Sequence, residues 1–350
     1  MVRRYVVIGA GAIGGTVGAV LARAGIAVLL VARGRHGEVL AQRGLTLRTP
    51  DGVVQVPVQV ASDAEQVALT DQDVLVFATK TQQLDAALRE WVDRPVTLST
   101  GGTSTAAQTL PVLTALNGVT AEELALRYFR RVYGVCVWLP ALHLEPGEVI
   151  VRSWPVVGQF HVARWPASLT DAQDGALLNE VARSWTGAGI RVTVPDDVAP
   201  WKYNKLLSNL GNVVGALLGD DGAVASIAVS ARSEGQEVLR RAGIDAISFE
   251  VSGAARVDGP HPRDVPGLAA GATNSTWQSL QRQTGDAETD YLNGEIVRIA
   301  HRCGIPAPVN SALAALGRRA VRGRTGPGRY RADELTALIE AALQQVSVRE

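Results

Sequence analysis

Six residues near the start constrain the chain most. Gly9-Ala10-Gly11-Ala12-Ile13-Gly14 follows the apolar run Val6-Val7-Ile8 and leads straight into a helical pattern. Strand, then Gly-x-Gly-x-x-Gly, then helix is the order of a dinucleotide-binding turn. Gly9 permits the tight turn, and Gly11 lets backbone approach a pyrophosphate at the positive end of the helix. Gly14 lets that helix lie close on its strand. Val17, Val20, Leu21 and Ala24 continue at helical spacing. Ile26 to Ala32 is a continuous apolar run, as in a buried parallel strand. This complete strand–helix–strand context favours a nucleotide site over a merely glycine-rich turn, and assigns Gly9, Ala10, Gly11, Ala12, Ile13 and Gly14 to the cofactor.

The cofactor's identity turns on the end of the second strand. A site for NAD places an Asp or Glu there, to accept from the ribose 2′-hydroxyl. The chain has Ala32-Arg33-Gly34-Arg35 instead. A guanidinium at Arg33 suits a 2′-phosphate, so the expected cofactor is NADP. The next buried strand, Asp73 to Ala78, runs into Thr79-Lys80-Thr81. Ligands bind outside the carboxyl ends of strands in such sheets, which puts Lys80 at the cofactor or substrate.

At 350 residues the chain has room for about two domains. Lys plus Arg and Asp plus Glu both number 34, so global charge suggests neither a nucleic acid nor an anionic membrane as partner. Cys136 and Cys303 are far apart and make neither a disulfide framework nor a metal-ligand spacing, and no metal is expected. Cys136, in an apolar run, is expected to be a small core residue. The opening residues lack a signal-peptide cleavage pattern, and no uncharged run is long enough for a membrane span. The expectation is a cytoplasmic enzyme.

Strand patterns recur over 45–58, as a hairpin about Pro50-Asp51-Gly52, and over 95–99, 132–139, 148–160 and 190–194. Residues 101–109 look like loop, and Glu122-Glu123 opens a helix. Pro195-Asp196-Asp197 marks the expected boundary between an α/β Rossmann-type domain, 1–195, and an all-helical C-terminal domain, 196–350. Helical spacing covers 201–218, 223–242 and 288–303, and 253–271 reads as a long Gly/Pro-rich loop. In the tail, Leu335, Leu338, Ile339, Ala342, Leu343 and Val346 form one stripe, which packs on its own domain or makes a homodimer contact.

Within 201–218, Lys205, Asn209 and Asn212 fall at i, i+4 and i+7 and share a helix face. Such a stripe can be a solvated side. Recurrent Asn has no propensity reason to be there, and a lysine with two amides could bind and polarise a carbonyl and a carboxylate. The histidines, His36, His143, His161, His261 and His301, are dispersed and given no catalytic role, and most of them are read as surface or loop residues. Trp138, Trp154, Trp165 and Trp185 are read as packing.

A series of motifs then becomes specific: Gly9-x-Gly11-x-x-Gly14, Lys80-Thr81-Gln82, Asn117-Gly118-Val119, Lys205-Leu206-Leu207-Ser208-Asn209, Asn274-Ser275-Thr276-Trp277-Gln278 and Glu288-Thr289-Asp290-Tyr291-Leu292-Asn293-Gly294. In this order it resembles the ketopantoate reductase (2-dehydropantoate 2-reductase) family over nearly the whole chain. The resemblance implies NADPH-dependent reduction of a 2-keto acid at a site between a Rossmann domain and a helical domain. It implies Lys205 and Glu288 as catalytic residues, Asn209, Asn212, Ser275 and Asn117 at the substrate, and Lys80 and Asn117 on the cofactor side. Lys205 would act as general acid, and Glu288 would orient it and accept from a substrate hydroxyl. The chain departs from the pattern in a longer segment between Lys80 and Asn117, in Asn212 falling one residue early, in one extra residue between Ser275 and Glu288, and in Lys202 preceding Lys205 by a turn. The alternatives are a relative that reduces a different 2-keto acid and a non-catalytic NADP-binding regulator.

Overall fold

The computed structural model describes residues 3–219, 224–268, 274–282 and 287–347. They form two compact units, Met1–Trp201 with Phe249–Gly267, and Lys202–Ser248 with Leu268–Glu350.

The first unit is built on an eight-stranded sheet of β1 (Arg4–Ile8), β2 (Val28–Val31), β3 (Gln59–Ala61), β4 (Asp73–Phe77), β5 (Pro111–Thr114), β6 (Arg131–Trp138), β7 (Gly158–Trp165) and β8 (Ile190–Thr193). Strands β1 to β6 are parallel and lie in the spatial order 3-2-1-4-5-6, that of a dinucleotide-binding sheet. β7 joins β6 antiparallel, and β8 follows parallel to β7. The order reverses between β1 and β4, so the glycine turn after β1 and Thr79-Lys80 after β4 lie side by side.

Helix α1 (Ala12–Arg23) is buried without interruption from Gly14 to Leu21. Its outer side is covered by a second sheet of four strands, Ala141–Leu142, Glu148–Val151, Leu45–Thr49 and Gly52–Val56. The expected hairpin about residue 50 is present, but it belongs to this cover and not to the main sheet. The single strand expected over 148–160 is two strands, one in each sheet, separated by Ser153-Trp154-Pro155. Proline has no N–H to continue a ladder. The strand at Pro95–Thr97 pairs with Leu69–Thr70 and Thr103–Thr105 in a third, small sheet, and Ala106–Thr109 is a short helix where loop was expected. Period-two alternation identifies a strand but says nothing about its partner.

Helix α2 (Gly34–Arg43) follows β2, and α3 (Thr81–Val92) follows β4. Helix α4 (Ala172–Gly187) starts at an Asp171–Asp174 capping box and puts Leu177, Leu178, Val181 and Trp185 into the core. The described part of the expected loop 253–271 is held to the main sheet. Gln159 Nε2 donates to the Ala255 carbonyl at 2.9 Å, and the Arg256 guanidinium lies 3.7 Å from the Trp138 ring centre. Residues 269–271 of that expected loop lie outside the described residues.

Helix α5 (Ala199–Asn209) spans the change of units, and its first turn is held in the first. Cys136 Sγ donates to the Trp201 carbonyl, and His161 stacks on the Trp201 ring at 3.8 Å. His161 is therefore a buried sheet residue, an exception to the surface or loop placement expected for most histidines. Its Nδ1 meets the Thr193 hydroxyl, and its Nε2 has no hydrogen-bond partner among the described residues.

The second unit is helical. It contains most of α5, then α6 (Asn212–Leu218), α7 (Val224–Arg241), α8 (Ser275–Gln281), α9 (Thr289–Cys303), α10 (Pro308–Arg322) and α11 (Ala332–Ser347). The expected helical stretches 201–218, 223–242 and 288–303 all differ in bounds from the helices formed. Ala223, the expected start of α7, lies outside the described residues, as do the side chains of Ala342, Leu343 and Val346 on α11. The helix expected over 201–218 is broken at Leu210-Gly211. A Cβ on Gly211 would lie 2.8 Å from the Ala228 Cβ of α7, so close packing demands glycine at the break. The carbonyl of Leu210 accepts Asn293 Nδ2 from α9 at 3.0 Å, and Asn293 also donates to Asn310 Oδ1 of α10 at 3.0 Å. Asn310 Nδ2 then reaches the Ala231 carbonyl and Glu234 Oε1 of α7. Asn293 and Asn310 are buried, and a carbonyl left without a partner in such a place would cost about 1–3 kcal/mol.

Burial, with the charges of Arg256 and Arg191, depresses the His161 pKa from 6.5 to about 4. The unfolded chain therefore takes up this proton first as pH falls. The stability that neutral His161 gives is whole above about pH 6.5 and is lost on the way down to about pH 4. Denaturant melts should lose about 2 kcal/mol at pH 5 relative to pH 7.5 on account of this group. His161→Phe, which keeps a ring against Trp201, should lack that component, and an unchanged pH dependence in the variant would refute the assignment.

Candidate functional site

The glycine turn has the geometry of a ligand cradle. Gly9 adopts φ +95°, and a Cβ there would stand 3.0 Å from the Ala78 carbonyl and the Thr79 nitrogen. Gly14 is tighter, since its Cβ would lie 2.1 Å from the Gly9 carbonyl oxygen. Both glycines are demanded by the protein's own packing. Gly11 is not, because a Cβ there would meet nothing within 4 Å. The opening before the first turn of α1 is room for a ligand, beside N–H groups with no partner inside the helix. A dinucleotide pyrophosphate fits that combination of space, donors and dipole.

Lys80 caps the start of α3 next to this turn, half-buried, and its neighbour Thr81 is buried. Asn117 is half-buried in the loop after β5, where Gly118 turns the chain with φ +80°. The glycine turn, Lys80 and Asn117 thus follow three consecutive strands of the sheet, β1, β4 and β5, at their carboxyl ends.

Arg33, at the N-cap of α2, is exposed and forms a salt bridge with Glu90 of α3. Glu90 was not a sequence candidate, because its partner is 57 residues away.

His36 was also missed. The Gly147 N–H donates to its Nδ1 at 2.8 Å, so Nδ1 is unprotonated. Nε2 then carries the proton and donates to the Ala10 carbonyl at 2.8 Å. The imidazole is a brace between the glycine turn and the turn that enters the covering sheet, with the His143 ring 4.4 Å away. Its partners are 26 and 111 residues distant, so no local spacing marks it.

In the second unit, Lys205 and Asn209 are one turn apart on α5, on the shared face expected. Lys205 is half-buried and Asn209 buried. Lys202, the competing lysine, is 2% exposed, which leaves Lys205 as the more accessible of the two. Asn212 does not share their helix. It opens α6 beyond the break, so the three-residue stripe read from an unbroken helix is corrected to two. Ser275 is the first residue of α8 after the N-cap Asn274, whose side chain accepts the Trp277 N–H at 2.9 Å. Glu288 is buried at the N-cap position of α9, and Asn293 of the same motif is the structural ligand of Leu210. Arg282, two turns beyond Ser275 on the same side of α8, is half-buried. Burial pushes its guanidinium below the ordinary value, and its Nε has no partner among the described residues. Neither the sequence periodicity nor the motifs singled out this cation, which suits an anion.

The described residues hold no cluster able to bind a metal, and no described helix is long and apolar enough to cross a membrane. The sheet order, the open glycine turn and the helical second unit define a Rossmann-type protein with a C-terminal helical domain. Comparison with known proteins narrows this. The family model "Ketopantoate reductase PanE/ApbA" matches residues 5–166, and its C-terminal companion matches 198–320. The chain belongs to the ketopantoate reductase family, and it is a 2-keto acid reductase of that family. It is 26% identical over 321 residues to a 2-dehydropantoate 2-reductase of Pyrococcus horikoshii, covering 89% of this chain and 95% of the relative. Its likeness to the Archaeoglobus fulgidus protein of that name is 27% over 325 residues, covering 91% and 97%. Among solved structures it resembles a PanE/ApbA family ketopantoate reductase from Ralstonia eutropha JMP134, with TM-score 0.71, 26% identity and coverage of 91% and 99%. It shares its fold with D-mandelate dehydrogenase, with TM-score 0.73, 20% identity and coverage of 92% and 99%.

If His36 braces the turn, His36→Ala should raise the Kd for NADPH about fivefold, the worth of one typical hydrogen bond. Titration calorimetry reads this directly. An unchanged Kd with a lowered melting temperature would make His36 a fold residue only.

Proposed function

We propose that the chain reduces ketopantoate to pantoate with NADPH. The observation that carries this reading is the pair on α5, a half-exposed Lys205 one turn before a buried Asn209, in a chain with an open dinucleotide turn. Bound NADPH would supply hydride to the C2 carbonyl of the keto acid. Negative charge then grows on the carbonyl oxygen, and Lys205 would both balance it and give the proton. Positioned acid catalysis of this kind contributes roughly 10² to 10⁴ in rate. Asn209 and Ser275 would hold the substrate's carboxylate or hydroxyl, with Asn212 and Asn117 completing the polar set. Glu288, buried at its helix start, would accept from a substrate hydroxyl and orient Lys205. Arg33 and Lys80 would take the cofactor's phosphates, and Asn117 would also serve the cofactor side. Catalysis in the cytoplasm and a homodimer through α11 fit this reading.

A second reading has a specific observation behind it. Asn212 lies past the helix break, on a different helix from Lys205 and Asn209. The solved D-mandelate dehydrogenase of the same fold carries NADH and anilino(oxo)acetate. A bulkier, more apolar 2-keto acid is the alternative substrate.

The test is nicotinamide absorbance with NADPH and with NADH, against ketopantoate and phenylglyoxylate in parallel. Preference for ketopantoate supports the first reading, and preference for phenylglyoxylate the second. Lys205→Ala should lower turnover at least about a hundredfold while still binding NADPH. Near-normal turnover in that variant would remove Lys205 from the chemistry.

A further inference from the structure

In the proposed reading Arg33 takes the cofactor's 2′-phosphate, yet it is already engaged by a carboxylate. β2 and β3 are adjacent, and the Ala32 N–H donates to the Ala61 carbonyl at 3.0 Å, so the loops that leave these strands lie together. The loop after β3 carries Ser62, Asp63 and Ala64. The Ala64 N–H donates to Glu90 Oε1 at 3.2 Å, while Glu90 Oε2 takes Arg33. Glu90 is thereby held from two sides, its carboxylate only a quarter exposed against about two thirds for Arg33. Asp63 adds a second negative charge nearby. Its carboxyl lies below the ordinary range chiefly through the Ser62 hydroxyl, with a contribution from the charge of Arg33.

A 2′-phosphate that approaches Arg33 must compete with Glu90 and is repelled by it. A ribose 2′-hydroxyl meets no such opposition, since a carboxylate accepts from it. We infer that Glu90 is a cofactor-specificity residue: by occupying Arg33 it restrains the preference for NADPH and keeps the site open to NADH. This rests on the reading of Arg33 as the 2′-phosphate ligand. Opposing charges on exposed groups are screened by salt, so the restraint should weaken as ionic strength rises.

The experiment is calorimetric binding of NADPH, NADH and the fragment 2′,5′-ADP to wild type, Glu90→Gln, Arg33→Ala and the double variant. Glutamine keeps an oxygen for the Ala64 N–H and removes only the charge. Glu90→Gln should tighten NADPH and 2′,5′-ADP relative to NADH by about threefold or more, and less so in high salt. In the Arg33→Ala background the same change should have little effect, because Glu90 acts through Arg33. A selectivity ratio that stays put or falls in Glu90→Gln overturns the inference. Equal tightening with and without Arg33 also overturns it, since Glu90 would then act by direct repulsion alone. Failure of the underlying reading looks different: Arg33→Ala would leave the Kd of NADPH and of 2′,5′-ADP unchanged.

Discussion

Helix α1 is squeezed between two sheets, and the first unit is arranged around that fact. On one side a Gly14 Cβ would collide with the Gly9 carbonyl, and on the other a Gly15 Cβ would lie 2.8 Å from Val149 of the covering sheet. A Gly18 Cβ would fall 2.3 Å from a Leu30 methyl of β2. Three glycines in one helix cost propensity, about 1 kcal/mol each relative to alanine. Burial of Val17, Val20 and Leu21 against both sheets offsets that cost. The helix is therefore rigidly placed, and its N-terminal dipole points at a fixed spot. Gly11 alone is spared from packing, which is what leaves the spot open.

The second unit depends on a different device. Its helices meet through buried amides rather than apolar contact alone. Asn293 and Asn310 link α9, α10 and α7 to the carbonyl released where α5 ends. Satisfied buried networks specify one arrangement, because every alternative leaves a polar group unpaired. Asn293 therefore holds the carbonyl at the end of the helix that carries Lys205 and Asn209.

Charge around the cofactor turn is balanced locally, as it is over the whole chain. Arg33 and Glu90 form one pair, and Arg35 pairs with Glu38 one helical turn on.

The local pattern by itself determined the glycine turn, the strands β1, β2 and β4, and the pairing of Lys205 with Asn209 on one face. Each is a matter of period or steric need within a few residues. The motif series also pointed to the family. Tertiary structure alone decided that the hairpin near residue 50 covers α1 instead of extending the main sheet, since alternation marks a strand and not its partner. It alone shows the helix interrupted at Leu210-Gly211, where Ala228 on another helix leaves no room for a Cβ. The roles of His36, Glu90 and His161 were invisible for the same reason. Their partners lie far away along the chain, and a side chain's hydrogen bonds and pKa are set by what folding brings beside it.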